Sequence, residues 1–94
     1  KWYNLPNDTV MAKGDVTNRT IGFTGNVGSG TSFTLYLDDE NTGAKMYHVY
    51  IKQVSGSGNL TFTTGKEGAN NLSVSVGTKV ILIYVDSDGN VYSA

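Results

Sequence analysis

Two stretches of the sequence are predominantly apolar on both faces of an extended strand. Residues 46–51 read Met-Tyr-His-Val-Tyr-Ile, and residues 80–85 read Val-Ile-Leu-Ile-Tyr-Val. Because successive side chains of a strand point to opposite sides, both faces of these strands need a cover. A chain of 94 residues has the size of one domain and has few residues left to cover a second face. Either a loop of the chain covers that face, or a second subunit does.

The rest of the chain shows the two-residue period of half-buried strands. Ile21 and Phe23 alternate with Thr and Gly, and the same alternation recurs in residues 33–37, 60–63 and 72–76. No window of 11 residues or more has apolar positions at helical spacing. Gly-rich and Asp-rich turn signals separate the strands at the spacing typical of sandwiches and small barrels. The sequence therefore predicts an all-β fold, a single antiparallel β-sandwich or small barrel with tight hairpins.

The two ends of the chain differ in pattern. Residues 1–19 have no sustained alternation, so we expect an extended N-terminal arm with one edge strand near Thr9 to Ala12, followed by the β-sandwich domain in residues 20–94. Asp88-Gly89 is a tight-turn signal, which predicts that residues 91–92 fold back on residues 80–85 as a hairpin.

Composition argues against several classes of partner. Seven Lys and Arg against eight Asp and Glu give a net charge of −1, so we expect no nucleic-acid binding. The longest apolar run, residues 80–85, is far shorter than the ~20 residues that cross a bilayer, so we expect no membrane insertion. The chain has no cysteine, which excludes disulfides and thiolate metal sites.

No residue constellation in the sequence predicts catalysis. His48 is the only histidine and lies in the middle of a predicted strand, where a packed or surface imidazole is the simpler interpretation. The acidic clusters at 38–40 and at 86 and 88 lie in turns, and the second lacks the Gly and Glu positions of a calcium-binding loop. We therefore expect no enzyme activity, no cofactor and no metal site.

Aromatic side chains are the best candidates for contacts, since Tyr and Trp combine an apolar face with a polar tip. Those on strands with two apolar faces, together with the arm, predict an oligomer interface that comprises Trp2, Tyr47, Val49, Tyr84 and Val85. The remaining candidates, for contact with a ligand or receptor, are Tyr3, Tyr36 and Tyr92.

The C-terminal block is the most distinctive part of the sequence. Residues 77–94 run from a Gly-Thr turn through an apolar strand to Asp-Gly-Asn-Val-Tyr and a small last residue. This block resembles the ending of bacteriophage virion appendage domains, found in tail fibres, head fibres and capsid decoration proteins, although Ser87-Asp88 lengthens the turn. Residues 46–64 are similar to the central hairpin of such domains, and residues 1–30 match no part of them.

The resemblance implies a non-enzymatic structural protein exposed on the virion, commonly a homotrimer in contact with other virion proteins. The predicted function is accordingly a capsid decoration or fibre domain that assembles through its sheet face and N-terminal arm. The alternative is a small carbohydrate- or receptor-binding module, which would contact a host-surface glycan through exposed Tyr and Trp.

Overall fold

The structure is a computed structural model, and it describes residues 2–5, 20–28, 32–37, 44–52, 56, 58–75 and 77–93. The described residues form strands and turns and contain no helix. The eight strands in chain order are β1 (Trp2–Leu5), β2 (Thr20–Gly25), β3 (Ser32–Tyr36), β4 (Lys45–Ile51), β5 (Asn59–Thr63), β6 (Leu72–Ser75), β7 (Lys79–Val85) and β8 (Val91–Ser93). The prediction of an all-β fold is confirmed.

The strands form two sheets, one of five strands in the order β1-β2-β4-β7-β8 and one of three in the order β3-β5-β6. The longest pairing joins β4 to β7 over seven residues, from Lys45 opposite Val85 to Ile51 opposite Lys79. Apolar residues from both sheets share one core, an arrangement consistent with a β-sandwich.

The sheets are mixed, so the prediction of a purely antiparallel sandwich is wrong. Strand β1 pairs with β2 in parallel, as do β2 with β4 and β3 with β5. Parallel neighbours cannot be joined by a tight hairpin and need a segment that crosses between them. Here β3 lies between β2 and β4 in the chain but belongs to the other sheet, and β4 stands in the same relation to β3 and β5. The alternation of apolar and polar side chains indicates which face of a strand is buried, but it does not indicate the direction of the strand.

The structure tests three local predictions: the N-terminal arm, the C-terminal hairpin and the central hairpin. Residues 2–5, assigned to an extended arm, form the edge strand β1, whereas Thr9 to Ala12 lie outside the described residues. The C-terminal hairpin is confirmed, since β8 pairs antiparallel with β7 through Val85 and Val91. Residues 46–64 do not form a hairpin, because β4 and β5 lie in different sheets.

Phe23 on β2 lies at the centre of the core and is fully buried. Its ring centroid lies 5.9 Å from that of Tyr3, 6.1 Å from that of Phe33 and 6.0 Å from that of Phe62. The contacts with Phe33 and Phe62 are edge-to-face, a favoured geometry for aromatic pairs, and both cross from the five-stranded to the three-stranded sheet.

We expect Phe23→Ala to lower the free energy of unfolding by about 3–5 kcal/mol, because the cavity would lie between the two sheets. Phe33→Ala removes the same side chain from a partly buried position and should cost less than half as much. Urea unfolding of both variants measures the difference. Equal losses would contradict the central place given to Phe23.

Candidate functional site

The face of the five-stranded sheet that points away from the core is apolar and exposed. We call it the outer face; its large apolar side chains are Trp2, Met46, Tyr50, Val80, Leu82, Tyr84 and Tyr92. Strand pairing arranges it in rows, since Trp2 is opposite Gly22, Gly22 is opposite Tyr50 and Tyr50 is opposite Val80. None of the outward-facing residues within these five described strands is Asp, Glu, Lys or Arg.

Trp2 lies over Gly22 in the neighbouring strand. A Cβ added at Gly22 would collide with three carbons of the indole ring, so the ring occupies space that any other residue would fill. Gly22 thereby allows a large flat side chain to rest on the backbone of β2. The indole remains 55% exposed.

Tyr84 and Tyr92 stack at the opposite end of the outer face. Their ring centroids are 6.4 Å apart with an interplanar angle of 21°, and the two residues are directly opposite each other on β7 and β8. Met46 is opposite Tyr84 on the other side, so these three residues form a second row. Cross-strand aromatic pairs of this kind stabilise a sheet and also present a flat surface.

The exposed area of the outer face is large for a domain of this size. Its four aromatic side chains are 36 to 55% exposed, and at ~200 Å² each they contribute roughly 350 Å². Three aliphatic side chains add to this. The largest apolar patch on a typical monomer covers ~300–600 Å² and is often functional, and larger patches mark interaction sites.

The structure divides the predicted interface residues between the core and the outer face. Trp2 and Tyr84 lie on the outer face. Tyr47, Val49 and Val85 are at most 4% exposed and lie in the core, because they occupy the alternate positions of β4 and β7 that point toward the three-stranded sheet. These three side chains offer no surface to a second subunit.

The three candidate ligand contacts do not lie on a common surface. Tyr3 is buried against Phe23 in the core. Tyr36 is partly buried on the three-stranded sheet, beside Gly65. Tyr92 lies on the outer face and is stacked on Tyr84.

The predicted interface does not include Met46, Tyr50, Val80 or Leu82, and all four lie on the outer face. The signal was present, because the two-faced hydrophobicity of residues 46–51 and 80–85 predicts a second apolar face that needs a cover. The pattern defines two alternating sets of residues on each strand without saying which set points to the core.

The turn between β7 and β8 is held by Asp86. Its Oδ1 accepts hydrogen bonds from the backbone N–H groups of Asp88 and Asn90, both at 2.9 Å, and its Oδ2 accepts one from Asn90 Nδ2 at 3.1 Å. Both carboxylate oxygens are therefore occupied by donors of the turn itself. The arrangement explains the acidic side chain of Asp86 as turn chemistry.

A second segment fastens this turn to the three-stranded sheet. Thr64 Oγ1 donates a hydrogen bond to the Gly89 carbonyl at 2.9 Å, and Asn70 Nδ2 donates one to the Val91 carbonyl at 2.8 Å. Gly89 has φ of 87°, and a Cβ there would lie 2.9 Å from Thr64 Oγ1. Only glycine fits this position without displacing Thr64.

The pKa of Asp86 is lowered. Desolvation of its carboxylate raises the pKa, but the hydrogen bonds donated by the backbone and side chain of Asn90 and by the backbones of Asp88 and Gly89 outweigh that effect.

Among the described residues, the ionisable side chains do not converge. His48 is exposed on the outer face, between Thr20 and Leu82 in register. The described ranges contain no group of three or more His, Cys, Asp or Glu that could hold a metal ion, and the cluster at 38–40 lies outside them. No helix suited to membrane crossing by length and hydrophobicity occurs in the same ranges.

No protein-family model matches the sequence, and no curated protein and no solved structure is significantly similar to it.

The lowered pKa of Asp86 predicts a pH dependence of stability. The folded-state pKa lies below the ordinary value of 3.8, so the contribution of Asp86 is present above that value and is lost as the pH falls through the lowered pKa. We expect Asp86→Asn to be less stable than wild type at pH 7 and to lose less stability between pH 5 and pH 2. Urea midpoints across that range measure this effect.

Asp88→Asn is the matched control, since Asp88 joins the described hydrogen bonds of the turn through its backbone N–H. It should keep the wild-type pH dependence. The interpretation of Asp86 fails if the urea midpoints of the two variants depend on pH in the same way.

Proposed function

We propose that this protein is a non-enzymatic structural component of a bacteriophage virion, a capsid decoration or fibre domain that assembles as a homotrimer through the outer face. The observation that carries the proposal is the outer face itself, an exposed apolar surface without charged side chains in the described strands. Charge depletion and aromatic enrichment are the marks of an interface core.

Symmetric self-assembly accounts for that surface economically. A cyclic oligomer covers the same face on every copy without added residues, which suits a chain of 94 residues with one layer of strands behind the sheet. The net charge of −1 gives copies little electrostatic reason to repel one another. The domain gains stability from association that its small core supplies only in part.

The C-terminal block supports the assignment to a virion. Residues 77–93 comprise the last residues before β7, strand β7, the Asp86 turn and strand β8. The sequence of this block resembles the ending of phage appendage domains. Other virion proteins are the further partners that this role implies.

The proposal is tested on particles of the phage whose genome encodes the chain. Antibodies raised against the purified chain should label intact particles in immunogold electron microscopy. Particles from a deletion mutant are the control and should remain unlabelled. If the wild-type particles contain none of the chain by labelling and by mass spectrometry, the virion assignment fails.

A further inference from the structure

His48 lies in the middle of the outer face. Along β4 it stands between Met46 and Tyr50, and across the sheet it is opposite Thr20 on β2 and Leu82 on β7. Its side chain is exposed. The histidine is therefore surrounded by residues of the proposed assembly surface, and a second copy seated on that surface covers it.

His48 is the one outward-facing residue of the five described strands whose type changes charge near neutral pH. The other titratable residues on this side of those strands are Tyr50 on β4, Tyr84 on β7 and Tyr92 on β8. Tyrosine ordinarily ionises at a pH of ~10, whereas histidine does so at ~6.5. Strands β1 and β2 contribute no titratable side chain to this face.

The fixed charges nearest to this face lie at the ends of its strands. Lys52 follows β4, four residues or ~13 Å along the strand from His48. Asp86 follows β7 at a similar distance, its carboxylate is occupied by donors of the turn, and its lowered pKa keeps it ionised above pH 4. Lys45 and Lys79 occupy the alternate positions that point to the other side of the sheet. No carboxylate of the described strands is therefore placed to pair with a protonated His48.

We infer that His48 makes the assembly sensitive to pH, so that copies associate when its imidazole is neutral and separate when the ring is protonated. The inference rests on the self-assembly proposed above and describes its regulation. Covering the outer face removes water from the ring, which disfavours the charged form. The second copy brings the same face, whose described strands again supply no carboxylate.

Association should therefore weaken as the pH falls. A solvent-exposed imidazole ordinarily takes up a proton below a pH of ~6.5, and a copy that has done so must release it to assemble. Between pH 7.5 and pH 5.5 this requirement weakens association by up to ~10-fold for each copy, or ~1000-fold in the dissociation constant of a trimer. The concentration at which half of the chains are assembled varies as the square root of that constant, so it rises by up to ~30-fold.

Sedimentation equilibrium at pH 7.5 and pH 5.5, at one ionic strength, compares wild type with His48→Gln, whose side chain is polar and neutral at both values. We expect the half-assembly concentration to rise at least tenfold for wild type and less than twofold for the variant. His48→Lys is charged at both values and should assemble at least tenfold more weakly than wild type at pH 7.5. Circular dichroism checks that the variants keep the fold, and His48→Asn replaces His48→Gln if the latter does not assemble.

The matched control adds Ser73→His to His48→Gln. Ser73 is exposed on β6 of the three-stranded sheet, so this chain has one histidine again but none on the outer face. Its association should depend on pH as little as that of His48→Gln. A restored pH dependence would assign the effect to the net charge of the chain and overturn the role of His48.

The other outcomes separate the inference from the self-assembly on which it rests. The role of His48 is overturned, while self-assembly stands, if wild type is an oligomer that associates equally at both pH values. It is also overturned if His48→Gln responds to pH as wild type does, if neither neutral variant assembles at pH 7.5, or if His48→Lys assembles as tightly as wild type. A wild type that is monomeric at both pH values and every concentration overturns the self-assembly as well.

Discussion

The pairing of β4 with β7 is the constraint on which the rest of the structure depends. These strands are the longest in the protein and pair along their whole length. Their inner side chains, among them Tyr47, Val49 and Ile83, form a large part of the core around Phe23. The same register places Met46, Tyr50 and Tyr84 on the opposite side. A pair that is apolar on both faces can be covered by the three-stranded sheet on one face only, so the outer face is a consequence of the core.

Polar contacts lie at one end of the five-stranded sheet, at the hairpin that joins β7 and β8. Thr64 and Asn70 donate hydrogen bonds to the Gly89 and Val91 carbonyls and so link the hairpin of β7 and β8 to the segment that follows β5. Val85, next to this turn, is 4% exposed, whereas Val80, near the other end of β7, is 63% exposed, so the two ends of β7 lie in different environments.

Much of the fold follows from the sequence, because half-buried strands have a period that can be read directly. The strands β2 to β8 all fall in segments predicted to be extended, and the Asp88-Gly89 turn produces the hairpin it predicts. Strand direction could not be predicted, since a parallel pair such as β2 and β4 has the same alternation as an antiparallel one. Strand β1 was missed because four residues with Tyr3 and Leu5 inward give too short a pattern.

The predicted interface remains a prediction, and the structure shows which of its residues are exposed: Trp2 and Tyr84 are, whereas Tyr47, Val49 and Val85 are buried. Two apolar faces on residues 46–51 and 80–85 indicate that one face needs a partner. Which face that is depends on where the three-stranded sheet packs, and that is a property of the whole fold. Tyr47 is therefore buried while its neighbour Tyr50 is exposed.

Sedimentation equilibrium of the purified chain and of Tyr84→Ser tests most directly whether the outer face is an assembly surface. Tyr84 lies on that face and is exposed, so its loss tests that face as an assembly surface. We expect a wild-type mass of three times 10.1 kDa, as the proposed homotrimer requires, and an association at least tenfold weaker in the variant. A wild-type mass of 10.1 kDa at every concentration, or unchanged association in Tyr84→Ser, would contradict it.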